Sequence, residues 1–290
     1  MTATIRNPIE WGIDQLRHAA AGFEAAGRAL EHVPATLHSP QPRVRRVSLT
    51  DLRDALARGA ADFGACRSDV VFLCAFYPIA GLLLGRMVFG AQLLPLLFPL
   101  VAGFALLGPL AAVGLLEMSR RREYGEEVTW ATAFRVVRAP SFAAIVMLGL
   151  LLLAIFLLWM GAAALIYRVT LGPALPASFA AFFHDVLATP RGWAMIGVGI
   201  GVGFLFAVLV LTISVVSFAL LLDRDTGLDT AIATSIRVVT ENPRTMAAWA
   251  VVIAVGLVIG SLPLLLGLVV VFPILGHATW HLYRTAVARA

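Results

Sequence analysis

Lysine is missing from the sequence, and all 22 basic residues are arginine. A GC-rich genome would give that bias, and so would selection for arginine. Charge of either sign is scarce, at 13% of residues, against about 25% in a soluble domain. With 60% hydrophobic residues over 290 positions and a mean hydropathy of +0.90, the chain has too few polar groups to cover its own surface in water. That excludes an ordinary soluble domain and makes lipid the expected solvent. Cysteine is nearly absent. Cys66 lies before the first long apolar run and Cys74 lies inside it, so no disulfide is expected. Residues 1–69 contain no long apolar run, which is the wrong layout for a cleavable signal peptide.

What is present is a series of long apolar stretches. Crossing the hydrocarbon core takes about 20 residues of helix at ~1.5 Å each. Residues 70–117 fit two spans, with a turn near Arg86–Gln92. Residues 142–167 give a third span and 193–222 a fourth. Residues 246–283 give two short ones that turn at Gly260-Ser261-Leu262-Pro263. A single span plus a re-entrant or tilted helix is the alternative for this last stretch. The net charge of +5 sits in the loops, which fits the positive-inside rule and not nucleic-acid binding. Arginines gather before residue 70, in 118–141, in 223–245 and in the tail, whereas the opposite loops hold only Arg86, Arg168 and Arg191. Six spans with both termini in the cytoplasm follow.

Asn7-Pro8-Ile9-Glu10 has the form of a helix start. Ile9, Ile13, Leu16, Ala20, Phe23, Gly27 and Leu30 then keep helical spacing, so an amphipathic helix is expected. Its Trp11 and Arg17 suit a membrane interface or a docking face. A linker follows from Pro34 to Pro42. Residues 1–47 are thus a cytoplasmic N-terminal segment and 48–290 the membrane domain. Three further amphipathic stretches precede span pairs: Leu52/Leu56/Phe63, Trp130/Phe134/Val137 and Leu228/Ile232/Val239. Arg135-Val136-Val137 and Arg237-Val238-Val239 match, each followed by a proline (Pro140, Pro243). The expected fold is therefore an all-α membrane protein: a six-span helical bundle made of three repeats of amphipathic helix plus helical hairpin. A short interfacial helix with Phe179, Phe182 and Phe183 is expected near 177–187.

Few residues invite chemistry. His277 and His281 lie four apart on one helix face, about 6 Å apart along the axis. They could hold a metal with a third ligand, or bond to backbone or water near a helix C-terminus. Two histidines on one face of one helix cannot be both axial ligands of a haem. His18, His32, His38 and His184 lie outside the spans, too few histidines for a haem–copper core. No Asp or Glu falls in mid-span, where ion-coupled transporters usually carry one. Glu117 reads as a salt-bridged interfacial acid, and Asp223-Arg224-Asp225 with Asp229 as helix capping. Arg43, Arg45, Arg46, Arg120, Arg121 and Arg122 form basic clusters suited to topology anchoring or to anionic lipid headgroups. Gly197/Gly201 and Gly199/Gly203 are small-xxx-small pairs for close helix packing or self-association into a homo-oligomer.

Asp51-Leu52 with Ala55-Leu56-Ala57-Arg58-Gly59, Tyr77-Pro78, Gly108-Pro109, Ser119-Arg120-Arg121-Arg122-Glu123 with Gly125, Asp223-Arg224-Asp225 and Gly276-His277-Ala278-Thr279-Trp280-His281 form a set. Together they resemble a bacterial family of integral membrane proteins catalogued as a domain of unknown function. Some of its members carry the label of a putative cytochrome c oxidase subunit. The resemblance covers roughly residues 43–285. It implies an inner-membrane protein with no established activity, and the histidine count argues against carrying the oxidase label over as catalysis. A non-enzymatic accessory, assembly or scaffold protein is expected, with the bilayer and other membrane proteins or respiratory-complex components as partners. The alternatives are a small-molecule or lipid transporter, or a protein holding haem or metal at His277 and His281.

Overall fold

A computed structural model describes residues 41–66 and 94–289, apart from single positions 173, 175, 177 and 264. The amphipathic helix expected over residues 7–30, most of the linker, the first apolar run from residue 70, Cys74, Pro78 and Arg86 lie outside the described residues.

The first described helix, α1 (Leu49–Ala65), begins at a reciprocal cap. The Ser48 hydroxyl accepts from the Asp51 N–H, and the Asp51 carboxylate accepts from the Ser48 N–H. Two otherwise unpaired donors are satisfied this way. Its buried residues Leu52, Ala55, Gly59 and Asp62 recur at three and four positions, a single stripe along one face. α2 (Leu97–Glu123) is the first described apolar helix long enough to span. It tightens to a 3-10 turn at Ala105–Leu107 just before Gly108-Pro109. Pro109 has no N–H for the Ala105 carbonyl, and its ring crowds that carbonyl. A nine-residue 3-10 helix, Trp130–Arg138, leads into α3 (Phe142–Thr170). The short α4 (Phe179–Ala188) is capped by Ser178 and carries the expected aromatic group, with Tyr167 of α3 against Phe182.

α5 (Pro190–Asp223) breaks at Val215–Val216. Ser214 and Ser217 turn their hydroxyls back to the carbonyls of Val210 and Ile213 on either side of the break, a habit that bends helices. α6 (Leu228–Glu241), α7 (Pro243–Ser261) and α8 (Leu268–Ala286) complete the chain.

Four helices, α2, α3, α5 and α7, are long and apolar enough to cross a membrane by length and composition. α8 is not among them, and its second half carries His277, Thr279, His281 and Arg284. The described residues thus supply four such spans where six are expected from the whole sequence. α5 has 61% of its apolar window buried inside the protein and α7 only 22%, so α5 is central and α7 peripheral. Outward faces are apolar: Leu150, Leu157, Leu158 and Leu165 on α3, and Val251, Val255 and Val258 on α7, are exposed. In water these surfaces would cost about 25 cal/mol per Å²; against lipid they cost nothing of the kind.

The three amphipathic stretches do not behave alike. Leu52, Leu56, Leu228 and Ile232 turn into the core, whereas Trp130, Phe134 and Val137 stay exposed. Residues 42–47, assigned from sequence to the N-terminal segment, run extended along the domain. Val44 pairs with Val287, and Val44 and Val47 are buried. Asn242 ties this segment down, accepting from the Val47 N–H at 2.7 Å and donating to the Arg45 carbonyl at 3.1 Å. The ends of α2, α5 and α8, those of α2 and α8 bearing arginines, gather at one end of the bundle, where Glu123 and Asp223 meet Arg284.

Candidate functional site

The stripe on α1 ends in a carboxylate. Leu52, Ala55 and Gly59 face α8 so closely that a Cβ on Gly59 would stand 2.6 Å from the Ala278 nitrogen and 2.7 Å from the Ile274 carbonyl. One turn on, Asp62 reaches the same helix at the point where its face turns polar. His277 and His281, four apart on α8, both lie there. On the third side Gly276 packs against Leu115 of α2, which brings Ser119 and Arg122 of α2 alongside.

These five side chains form one bonded cluster. Asp62 Oδ2 lies 2.6 Å from Ser119 Oγ and 2.8 Å from His281 Nε2. Arg122 Nη1 stands 3.3 Å from Asp62 Oδ1. Ser119 Oγ is also 2.8 Å from His277 Nδ1. An ionised carboxylate only accepts, so the Ser119 hydroxyl donates to Asp62 and accepts from His277 Nδ1–H. That leaves His277 Nε2 as a bare acceptor, and it is buried with no hydrogen-bond partner. Burial works to raise the pKa of Asp62. Hydrogen bonds from His281 and Ser119, together with the positive charge of a protonated His281, outweigh it and hold the carboxyl below its ordinary value.

The cluster contains Ser, His and Asp, but in the wrong order for nucleophilic catalysis. In a hydrolase triad the imidazole takes the serine proton and the carboxylate orients the imidazole. Here the serine stands between the carboxylate and His277, its proton points to the acid, and it is only 1% exposed. Among the described residues no group of three or more His, Cys, Asp or Glu side chains could hold a metal ion.

Two more carboxylates hold the same stretch of α8. Glu123 of α2 accepts from Trp280 Nε1 at 2.8 Å, from Arg284 Nη2 at 2.9 Å and from Arg289 at 3.1 Å. Asp223, at the end of α5, accepts from the Tyr283 hydroxyl at 2.6 Å and from Arg284 Nη1 at 3.2 Å. Asp223 therefore ties two helices together and is not the cap expected from sequence. The first turn of α6 carries Asp229, with Gly227 at its cap position.

The six arginines singled out from sequence divide. Arg120 and Arg121 are bound to buried Glu117 at 2.9 and 2.7 Å, the salt-bridged role expected for that acid. Arg46 donates to the Glu241 carbonyl. Arg122 holds Asp62. Arg45 and Arg122 line a polar cavity of about 500 Å³, together with Arg58, Arg284 and Arg289, which the sequence pattern did not single out. Arg43 is exposed on the surface outside it. Asp62 also went unnoticed in the sequence. Its signal was present, as an acid on the buried stripe 52-55-59-62 of an amphipathic helix, a place where an acid needs a partner.

An apolar cavity of about 230 Å³ lies between α2, α5, α7 and α8, walled by Leu106, Val210, Phe218, Trp249 and Leu275. A second, of about 570 Å³, lies near α4, among Phe98, Trp159, Tyr167, Phe182 and Ile196.

No curated protein and no solved structure matches the chain. Residues 97–223, from the start of α2 to the end of α5, match the model of a family described as predicted integral membrane protein (DUF2189), the uncharacterised membrane-domain family that the sequence motifs resemble.

Proposed function

We propose that the protein is a non-enzymatic component of the bacterial inner membrane that acts by binding other membrane components, as an accessory, assembly or scaffold protein. It has six spans in three repeats, with both termini in the cytoplasm. One observation carries the binding role. Gly197 and Gly201 of α5 are exposed, and a Cβ on either would meet no described atom within 4 Å, whereas Gly203 packs on Trp159. In lipid, association depends on backbones approaching closely at small residues, because apolar contact with another helix gains little over contact with acyl chains. A two-glycine face turned outward fits a partner helix, whether from a respiratory-complex component or from a second copy.

The test is isolation from native membranes in mild detergent, with Gly197→Leu/Gly201→Leu beside the parent. The parent should come out with stoichiometric partners or as a homo-oligomer, and the variant should lose them while keeping its melting midpoint. A parent that emerges alone as a monomer removes the binding role.

The apolar cavity between α2, α5, α7 and α8 supports a second role in handling a lipid or apolar small molecule. Co-purified lipid that is lost from Ala250→Trp, which fills that cavity, would favour it. Haem or metal at His277 and His281 has one supporting observation, the unpartnered Nε2 of His277. An absorbance spectrum without a Soret band and a metal analysis without stoichiometric metal would remove it.

A further inference from the structure

We infer that the arginine-lined cavity between α1, α2 and the end of α8 is a binding site for a phosphate-bearing anion, presented as a phospholipid headgroup or as a free phosphate ester. The inference is independent of the helix-association role proposed for α5. It rests on the composition of the wall. Five arginines, Arg45, Arg58, Arg122, Arg284 and Arg289, face two carboxylates, Asp62 and Glu123, across about 500 Å³.

The carboxylates are already engaged. Asp62 is held by Ser119, His281 and Arg122, and Glu123 by Trp280, Arg284 and Arg289. Two of the arginines are not. Arg45 and Arg58 are exposed, and neither guanidinium makes a hydrogen bond or ion pair among the described residues. The wall therefore carries surplus positive charge in a concave, partly enclosed space, which concentrates anions.

The donors narrow the class. A guanidinium offers two parallel N–H groups that match a phosphate edge. Arg45 comes from the extended segment and Arg58 from α1, so two forks approach from two elements. An apolar occupant would strand the polar wall, and a cation would meet the arginines. The space is within the range of small-ligand sites, roughly 300–1,000 Å³. The cavity lies at the ends of α2 and α8, and in the proposed orientation that is the level of the inner-leaflet headgroups. The site differs from the basic clusters read from sequence, because Arg120 and Arg121 are spent on Glu117 and take no part.

The test uses the full chain in a neutral detergent at fixed ionic strength. The melting midpoint is followed by tryptophan fluorescence against sodium pyrophosphate and, separately, against phosphatidylglycerol in mixed micelles. At least one probe should raise the midpoint with saturation. Arg45→Gln/Arg58→Gln should raise the half-saturating concentration roughly tenfold or more. Arg43→Gln/Arg53→Gln removes the same charge from outside the cavity and should leave it within about twofold. Arg45→Lys/Arg58→Lys, which keeps charge and loses the forks, should fall between and serves if the glutamine variant does not fold. A response to pyrophosphate assigns a free phosphate ester, and a response to the lipid alone assigns a headgroup. No response to either probe, or an equal loss in the two glutamine pairs, overturns the site.

Discussion

Asp62 connects more of the molecule than any other side chain in the cluster. It accepts from Ser119 and His281 and faces Arg122, with His277 one bond beyond through the serine. Asp62→Asn removes the charge and leaves those donors poorly matched. Breaking a buried charged pair costs about 3–5 kcal/mol, and the amide keeps one acceptor, so a loss of about 3 kcal/mol is expected. Unfolding of the purified protein in detergent measures it. The sign of the pH dependence follows from the depressed pKa. The folded carboxyl titrates below its ordinary 3.8, so its contribution is complete above that pH and declines as pH falls further. The difference in stability between parent and Asp62→Asn should therefore shrink as pH falls below about 4. A difference that widens on acidification below about pH 4 would contradict the ionised, hydrogen-bonded carboxylate.

The docking of α1 on α8 depends on a glycine and a cap. A methyl at position 59 would collide with backbone atoms of Ala278 and Ile274, which cannot move without shifting a whole helix. Gly59→Ala should therefore destabilise by about 1–3 kcal/mol, the usual cost of overpacking. Gly64 lies on the open side of the same helix with nothing within 4 Å. Gly64→Ala should be neutral or gain up to about 0.5 kcal/mol from helix propensity. Opposite signs at the two glycines, read from melting midpoints, test the packed interface apart from helix propensity. Ser48→Ala should cost about 1 kcal/mol by removing the reciprocal cap, with Asp51 left to bond the backbone alone.

For the molecule as a whole, the gathering of arginine-rich ends at one side makes a topology prediction. With Cys66 and Cys74 replaced by serine, Asp185→Cys within α4 should react with an impermeant maleimide in intact cells. Glu127→Cys, in the loop between α2 and the 3-10 helix, should react only after permeabilisation. Equal labelling at both would refute the orientation. This level was also the most legible in sequence. Long uncharged runs and the arginine distribution are properties of composition, and they carried α2, α3, α5 and α7 directly. The short helix with Phe179, Phe182 and Phe183 was equally plain, because aromatic clustering is a local signal.

The site was legible only in part. His277 and His281 stood out because two titratable side chains at helical spacing in an apolar stretch are rare. Their partners did not, since Ser119 lies 158 residues from His277 and Asp62 lies 219 from His281. Local periodicity has no reach over such separations. The sequence by itself determined the solvent, the helices and the sign of charge at their ends, because burial in lipid and the positive-inside bias act on each stretch alone. Only the tertiary structure decided that three carboxylates from three helices close on one face of α8, and which arginines are left free to meet an anion. Those pairings follow from how closely helices can approach at Gly59 and Gly276, and that distance is a property of the packed bundle.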